Sequence, residues 1–184
     1  RAFGADRSSL LRAGCIVGPD DSRFGRLSWW IDRVARSGEV LVPGSPDDPM
    51  SLIDSRDLAR FALAAAPCAI ETCGADSTRG ELMDACRSAT GSDAAFTWVD
   101  DAWLRAQDVE PWTEIPLWVP AAEAPSAFAH DPADAVLAGL RRRPLLETVA
   151  DTWAWQRAGW QPTERTPGLD PAKEAALLKQ WHAR

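Results

Sequence analysis

The chain has 184 residues, 46% of them hydrophobic and 26% charged, with a formal net charge of −7; this suits one soluble globular domain with at most a small appendage and a sizeable core. The acidic balance lacks the basic footprint of nucleic-acid binding, and no apolar run approaches the ~20 residues of a membrane span. The first residue is Arg1 and the opening stretch has no signal-peptide layout, so the chain is expected to be part of something longer.

Arg1 to Arg7 is polar and reads as the end of an element whose body lies elsewhere. Ser9 to Ala13 is predicted to be a buried strand, running into a loop over Gly14 to Asp21 that reads G-C-I-V-G-P-D-D. Ser22 to Ser37 is a predicted amphipathic helix with Phe24, Leu27, Ile31 and Val34 on one face and Gly38 at its end. Short strands follow at Glu39–Val42 and Met50–Ile53. Asp54 is placed to cap a helix over Ser55 to Ala66, with Asp57 at its third position, and these capping roles are preferred to acid/base chemistry. Cys68 to Cys73 is a strand that turns out at Gly74.

Thr78 and Glu81 form a capping box for a helix to about Thr90. Ala94 to Val99 alternates as a strand, and Asp100 caps a short helix. Residues 109–130 are predicted to be an ordered loop because Trp112, Ile115, Leu117, Trp118 and Val119 are too apolar to leave in water. Asp131-Pro132 and Asp170-Pro171 each read as a cap followed by proline at the first helical position. They start helices to Leu140 and to about His182, with a third over Arg143 to Ala158 buried through Leu146, Val149 and Trp153. Arg141 to Arg143 reads as charge set against a helix dipole.

The predicted fold class is α/β. It has a partial Rossmann-type parallel sheet of two strands, Ser9–Ala13 and Ala69–Cys73, and a small, mostly helical substrate-binding domain. The predicted division is residues 1–76, with a substrate-cleft insertion over about 22–53, and residues 77–184. The four cysteines, Cys15, Cys68, Cys73 and Cys86, sit in apolar runs without a zinc-ligand pattern. Free thiols in a reducing, cytoplasmic compartment are expected, with no metal. His130 and His182 are expected at the surface. Trp29 and Trp30 point about 100° apart on a helix, which puts one at a cleft or interface. Trp98, Trp103, Trp112 and Trp118 are candidates to roof an apolar pocket beside the loop.

L-L-R-A-G-C-I-V-G-P-D-D, a helix, G-E-V-L-V-P-G and S-L-I-D-S-R-D-L-A together resemble the C-terminal half of an extended short-chain dehydrogenase/reductase of the NAD-dependent epimerase/dehydratase family. E-L-M-D-A-C-R-S-A-T-G resembles that family's substrate-domain helix. The resemblance implies NAD or NADP as cofactor, with Ala13, Gly14, Cys15 and Ile16 lining its nicotinamide end and Gly14 permitting close approach. It places Phe24, Trp29 and Trp30 in the substrate cleft. Met50 stands near the position where nucleotide-sugar members carry an arginine, which points to a small carbonyl or alcohol substrate instead. The family's glycine-rich phosphate loop and Y-x-x-x-K pair have no counterpart in a chain without tyrosine, so no catalytic residue is assigned here. The expected partners are the missing N-terminal half and a small molecule, with a homo-oligomer as a further expectation. A non-catalytic binding or regulatory domain on the same fold is the alternative. Alone, the first strand would present an unpaired apolar edge, and the chain is expected to be poorly soluble or to self-associate.

Overall fold

The computed structural model describes residues 4, 7–21, 24–73, 77–125, 127–128, 130–162 and 167–184. The predicted helix start at Ser22, the turn at Gly74 and most of the polar start lie outside them. In chain order the elements are β1 (Leu10–Arg12), β2 (Cys15–Val17), α1 (Arg26–Ala35), β3 (Glu39–Pro43), β4 (Pro49–Met50), β5 (Leu52–Asp54), α2 (Ser55–Ala64) and β6 (Ala69–Glu71). They continue with β7 (Ser77–Thr78), α3 (Arg79–Thr90), β8 (Ala95–Val99), α4 (Asp101–Ala106), α5 (Ala133–Leu137), α6 (Leu145–Arg157) and α7 (Pro171–His182).

The predicted first strand and loop form one extended run that changes partner midway. β1 pairs in parallel with β6, Leu11 opposite Ile70. β2 then pairs in parallel with β5, Ile16 opposite Ile53. The second strand lies inside the stretch read as loop, a correction to that prediction. The crossover point is Gly14, and its lack of a side chain has a packing cause. A Cβ there would sit 2.6 Å from the Ser51 carbonyl oxygen and 2.8 Å from Cys73 Sγ. The glycine is required for the strand to reach two partners in turn. Cys15 N–H, the next donor, reaches the Ser51 carbonyl at 2.9 Å.

The parallel β3–β8 pair, Glu39 opposite Ala95 through Pro43 opposite Val99, joins the region before residue 76 to the region after it. Helix α1 buries Leu27, Trp30, Ile31 and Val34, the i, i+3, i+4, i+7 stripe of an amphipathic helix. It packs on α3 and α6. These elements, with Leu104, Ile115, Leu117, Trp118, Leu177 and Leu178, form the larger core. A smaller cluster of Ile53, Phe61, Ile70, Cys73, Ala135 and Leu140 seats α2 and α5 on the β1–β6 pair.

Several boundaries moved for local reasons. Helix α1 starts at Arg26 because Gly25 is left-handed at φ 58°, with Trp160 Cζ2 only 2.8 Å from where its Cβ would stand. The Thr78–Glu81 capping box is formed on both sides, and Asp170 caps α7 through the amides of Ala172 and Lys173. Helix α5 stops at Leu137 and Gly139 adopts φ 100°. In α6 the buried face is Thr148, Val149, Thr152 and Gln156, and Leu146 is exposed. The face is turned because two polar groups have inward partners: the Thr148 hydroxyl donates to Asp54 Oδ2 at 2.9 Å, and Gln156 Nε2 donates to the Ser28 carbonyl at 3.0 Å. Among the described residues, no helix is long and apolar enough to cross a membrane.

Candidate functional site

A cavity of about 930 Å³ opens where β2 runs out into the loop ending at Asp21. Residues Ala13 to Asp21 form its first wall, with Ser55 at the start of α2. Phe24 and Arg26 enter at the start of α1. Trp112, Leu117, Val119, Ala127, Phe128 and His130 make the far wall. The volume lies in the usual range of small-molecule sites. Its position, outside the carboxyl end of a parallel strand, is where open α/β sheets bind ligands.

The far wall is irregular chain, and it is held by hydrogen bonds from the core. Trp30 Nε1 donates to the Pro116 carbonyl at 2.7 Å. Arg79, buried and pushed down in pKa by that burial, donates from Nη1 to the Leu117 carbonyl at 3.2 Å. At and just before these anchors the backbone is strained. Trp112 (φ 68°) and Leu117 (φ 58°) occupy the left-handed region, as does Asp20 (φ 68°) on the opposite wall. Bulky residues in that region cost about 1–3 kcal/mol each and cluster at ligand sites.

The near wall rests on an ion network. Asp54 caps α2 by accepting from Arg56 N–H at 2.8 Å, as predicted. Asp57 does not cap: it accepts from Arg143 N–H at 2.8 Å and from the Arg143 guanidinium at 2.9 Å. Arg143 also faces Asp54 at 3.4 Å and Glu147 at 3.3 Å. The arginine run predicted to end a helix lies between α5 and α6, and Arg143 is the hub of this network. Burial works against ionisation of Asp54 and of Asp57, but bonds from Arg56 and Thr148 to the first, and from Arg143 to the second, hold both below the usual aspartate range. A Cβ at Gly18, in the cavity wall, would lie 3.4 Å from Asp54 Oδ2, so the network lies directly beneath the loop.

Five predicted site residues meet at the cavity: Ala13, Gly14, Cys15, Ile16 and Phe24. Three do not. Trp30 and Met50 have no exposed surface and belong to the core. Trp29 stacks edge-on against Trp30 at 4.8 Å and lines a separate depression with Trp153 and Trp160. The separation follows from the 100° step between neighbours on α1. Of the four candidate roofing tryptophans only Trp112 lines the cavity; Trp118 is buried, with Nε1 donating to Asp101 at 2.8 Å. His130 lines the cavity too, its Nδ1 3.8 Å from Glu71 Oε2. Arg26, Phe128 and His130 were not predicted as site residues. For Arg26 a signal existed, because a cation at the first position of a helix lacking acids in its first turn opposes the helix dipole.

Chemically the site offers shape more than reactivity. Burial pushes the Cys15 thiol up to about 11, with Arg26 partly opposing, so it stays protonated at neutral pH. All four cysteines are free. Among the described residues no cluster of His, Cys, Asp or Glu could hold a metal ion.

No family model matches the sequence, and no curated protein sequence matches it. Solved structures do match the fold. A UDP-glucose 4-epimerase from Thermotoga maritima, solved with UDP-glucose, superposes with TM-score 0.58 at 16% identity, covering 83% of this chain and 47% of the other. The Bordetella bronchiseptica enzyme WbmH, in complex with NAD+, gives 0.58 at 20% identity over 82% and 46%. A GDP-L-fucose synthetase from Naegleria fowleri bound to NADP gives 0.57 at 14% identity over 86% and 47%. The chain thus spans about half the length of the structures it matches, and what it shares with them is the Rossmann-type α/β fold.

Proposed function

We propose that the chain is the C-terminal half of an NAD(P)-dependent oxidoreductase or epimerase that acts on a small carbonyl or alcohol compound. The observation that carries this reading is the backbone wall Ala13–Val17, which borders a ligand-sized cavity at the end of a parallel strand. The fold is shared with enzymes solved with NAD+ and with NADP. In this reading Ala13, Gly14, Cys15 and Ile16 face the nicotinamide, and Phe24 faces the substrate. NAD(P), when bound, supplies hydride transfer. This chain's residues shape the cleft and exclude water; a protonated Cys15 presents a neutral surface there. The phosphate loop and the tyrosine–lysine pair belong to the other half of the protein.

Saturating NAD(H) or NADP(H) is expected to raise the thermal midpoint of the full-length protein by several degrees, because ligand at a hundred times its Kd stabilises by about 2.7 kcal/mol. The 184-residue chain alone is expected to show no shift. An unchanged midpoint in the full-length protein rejects the oxidoreductase reading in favour of a binding domain on this fold.

The open side of β1 supports the same reading. Among the described residues β1 pairs with β6 alone, and Leu10 is 60% exposed, an edge suited to another strand. We expect the isolated chain to self-associate with rising concentration in sedimentation experiments, and Leu10→Lys to weaken that association. A strictly monomeric chain across the accessible range rejects the open-edge assignment.

A further inference from the structure

We infer that Arg26 is the anion-recognising residue of this cleft and that the molecule it receives is a monocarboxylate with an apolar body. The word substrate for that molecule rests on the oxidoreductase reading; the anion site itself does not. The guanidinium of Arg26 packs against two aromatic rings, its carbon 4.7 Å from the centroid of Phe24 and 4.7 Å from that of Trp112. The rings engage the π-face of the guanidinium, and in such packing a ligand is received in its plane, where a guanidinium carries its N–H donors. Nε is buried and, among the described residues, has no hydrogen-bond partner, an unfavourable state for a charged group. Among the described residues no carboxylate comes within ion-pair distance of Arg26, whereas Arg33, Arg56, Arg105 and Arg143 each have one.

Two further features place positive potential at the same point. Arg26 is the first residue of α1, whose preceding Gly25 offers no capping side chain and whose first turn holds no acid. The positive end of the helix dipole and the guanidinium thus add, and an anion relieves both. Trp112, the second of these rings, is held in the left-handed region at φ 68°, strain that the fold maintains at this position.

Charge and lining select the kind of anion. The cavity wall carries one arginine together with Asp20 and Asp21; one guanidinium edge seats one carboxylate, and the two acids repel a dianionic phosphate about twice as strongly as a monoanion. The same cavity is lined by the apolar side chains of Ile16, Leu117, Val119 and Phe128. A singly charged head with a short hydrocarbon body satisfies both.

The test uses a matched pair of probes, hexanoate and hexanamide, on the full-length protein, read by calorimetry and by tryptophan fluorescence. Hexanoate is expected to bind saturably and at least about tenfold more tightly than hexanamide. Arg26→Gln is expected to abolish that preference, bringing acid and amide to the same affinity, and Arg26→Lys to restore part of it. Equal binding of acid and amide by the wild-type protein, or binding of neither, overturns the inference whether or not the variants fold. Inorganic phosphate binding more tightly than hexanoate overturns the monocarboxylate assignment. The NAD(P) thermal shift separates the two readings: acid preference without a cofactor shift leaves the anion site standing and rejects the oxidoreductase, and the reverse rejects the anion site alone.

Discussion

Arg143→Met is expected to lower the unfolding free energy at neutral pH by about 3–5 kcal/mol, the range for removing one partner of a buried ion pair. The magnitude follows from what is left behind. The Asp57 side chain is 2% exposed and the Asp54 side chain 1%, and the substitution removes the Arg143 guanidinium from Asp57 while the backbone N–H of residue 143 stays. Asp54 keeps Arg56 and Thr148, whereas Asp57, among the described residues, keeps only the solvent-screened Arg60 at 3.2 Å as a counter-charge, so the under-compensated charge is mainly that of Asp57. Methionine retains the apolar stem, which confines the loss to charge and hydrogen bonds. Arg56→Met should cost less, because Arg56 is 36% exposed and the buried Asp54 it bonds still keeps the backbone N–H of residue 56, the Thr148 hydroxyl and Arg143 at 3.4 Å.

The same variant has a signature in pH. Asp57 is held below its ordinary 3.8 in the folded protein, so between the folded and unfolded values the unfolded chain binds more protons. Wild-type stability from this group is complete above about pH 4 and is lost as pH falls through the depressed folded value. In Arg143→Met the burial that opposes ionisation acts without the guanidinium, its largest counterweight, the Asp57 pKa rises, and protonation relieves the buried charge. The gap between wild type and variant should therefore narrow as pH drops from 7 towards 4 in urea unfolding. A gap that is independent of pH, or a loss below about 1 kcal/mol, would show that Arg143 only fills space.

Most elements were legible because their signals are local. The Asp–Pro start at Asp170, the Thr78–Glu81 box and the apolar stripe of α1 each specify a helix from within one or two turns. The near wall of the cleft was legible in place for the same reason, but its strand β2 was read as loop because the partner that makes it a strand, β5, lies far along the chain. What escaped depends on partners far along the chain. Arg143 meets Asp57 across 86 positions and Trp30 meets Pro116 across 86, and nothing near either end announces the other. The far wall is the extreme case. Trp112 and Leu117 take conformations that their residue types disfavour, so local preference points away from the truth at the positions that shape the site. Gly14 was legible as a special position but for a different reason: Ser51 and Cys73, close in space, fill the room a side chain needs.

Trp30→Ala is expected to be the most damaging single substitution, costing about 3–5 kcal/mol for the lost buried ring. Leaving the Pro116 carbonyl without its 2.7 Å donor adds about 1–3 kcal/mol. Natural domains hold about 5–15 kcal/mol in all, so this variant should be close to unfolded at 37 °C. Trp30→Phe separates the two contributions. Phenylalanine keeps most of the ring contacts against Trp29 and the core but cannot donate to Pro116, so about 1–3 kcal/mol should be lost with the fold intact. Its second consequence lies at the cleft. Pro116 immediately precedes Leu117, whose carbonyl is held by Arg79, so freeing Pro116 removes one of two anchors of a strained wall. Trp30→Phe should therefore weaken hexanoate binding without touching the ligand, while a polar surface substitution of equal thermal cost does not. If Trp30→Phe leaves both stability and binding unchanged, the hydrogen bond to Pro116 does not hold the far wall, and the left-handed Leu117 must be maintained by Arg79 alone.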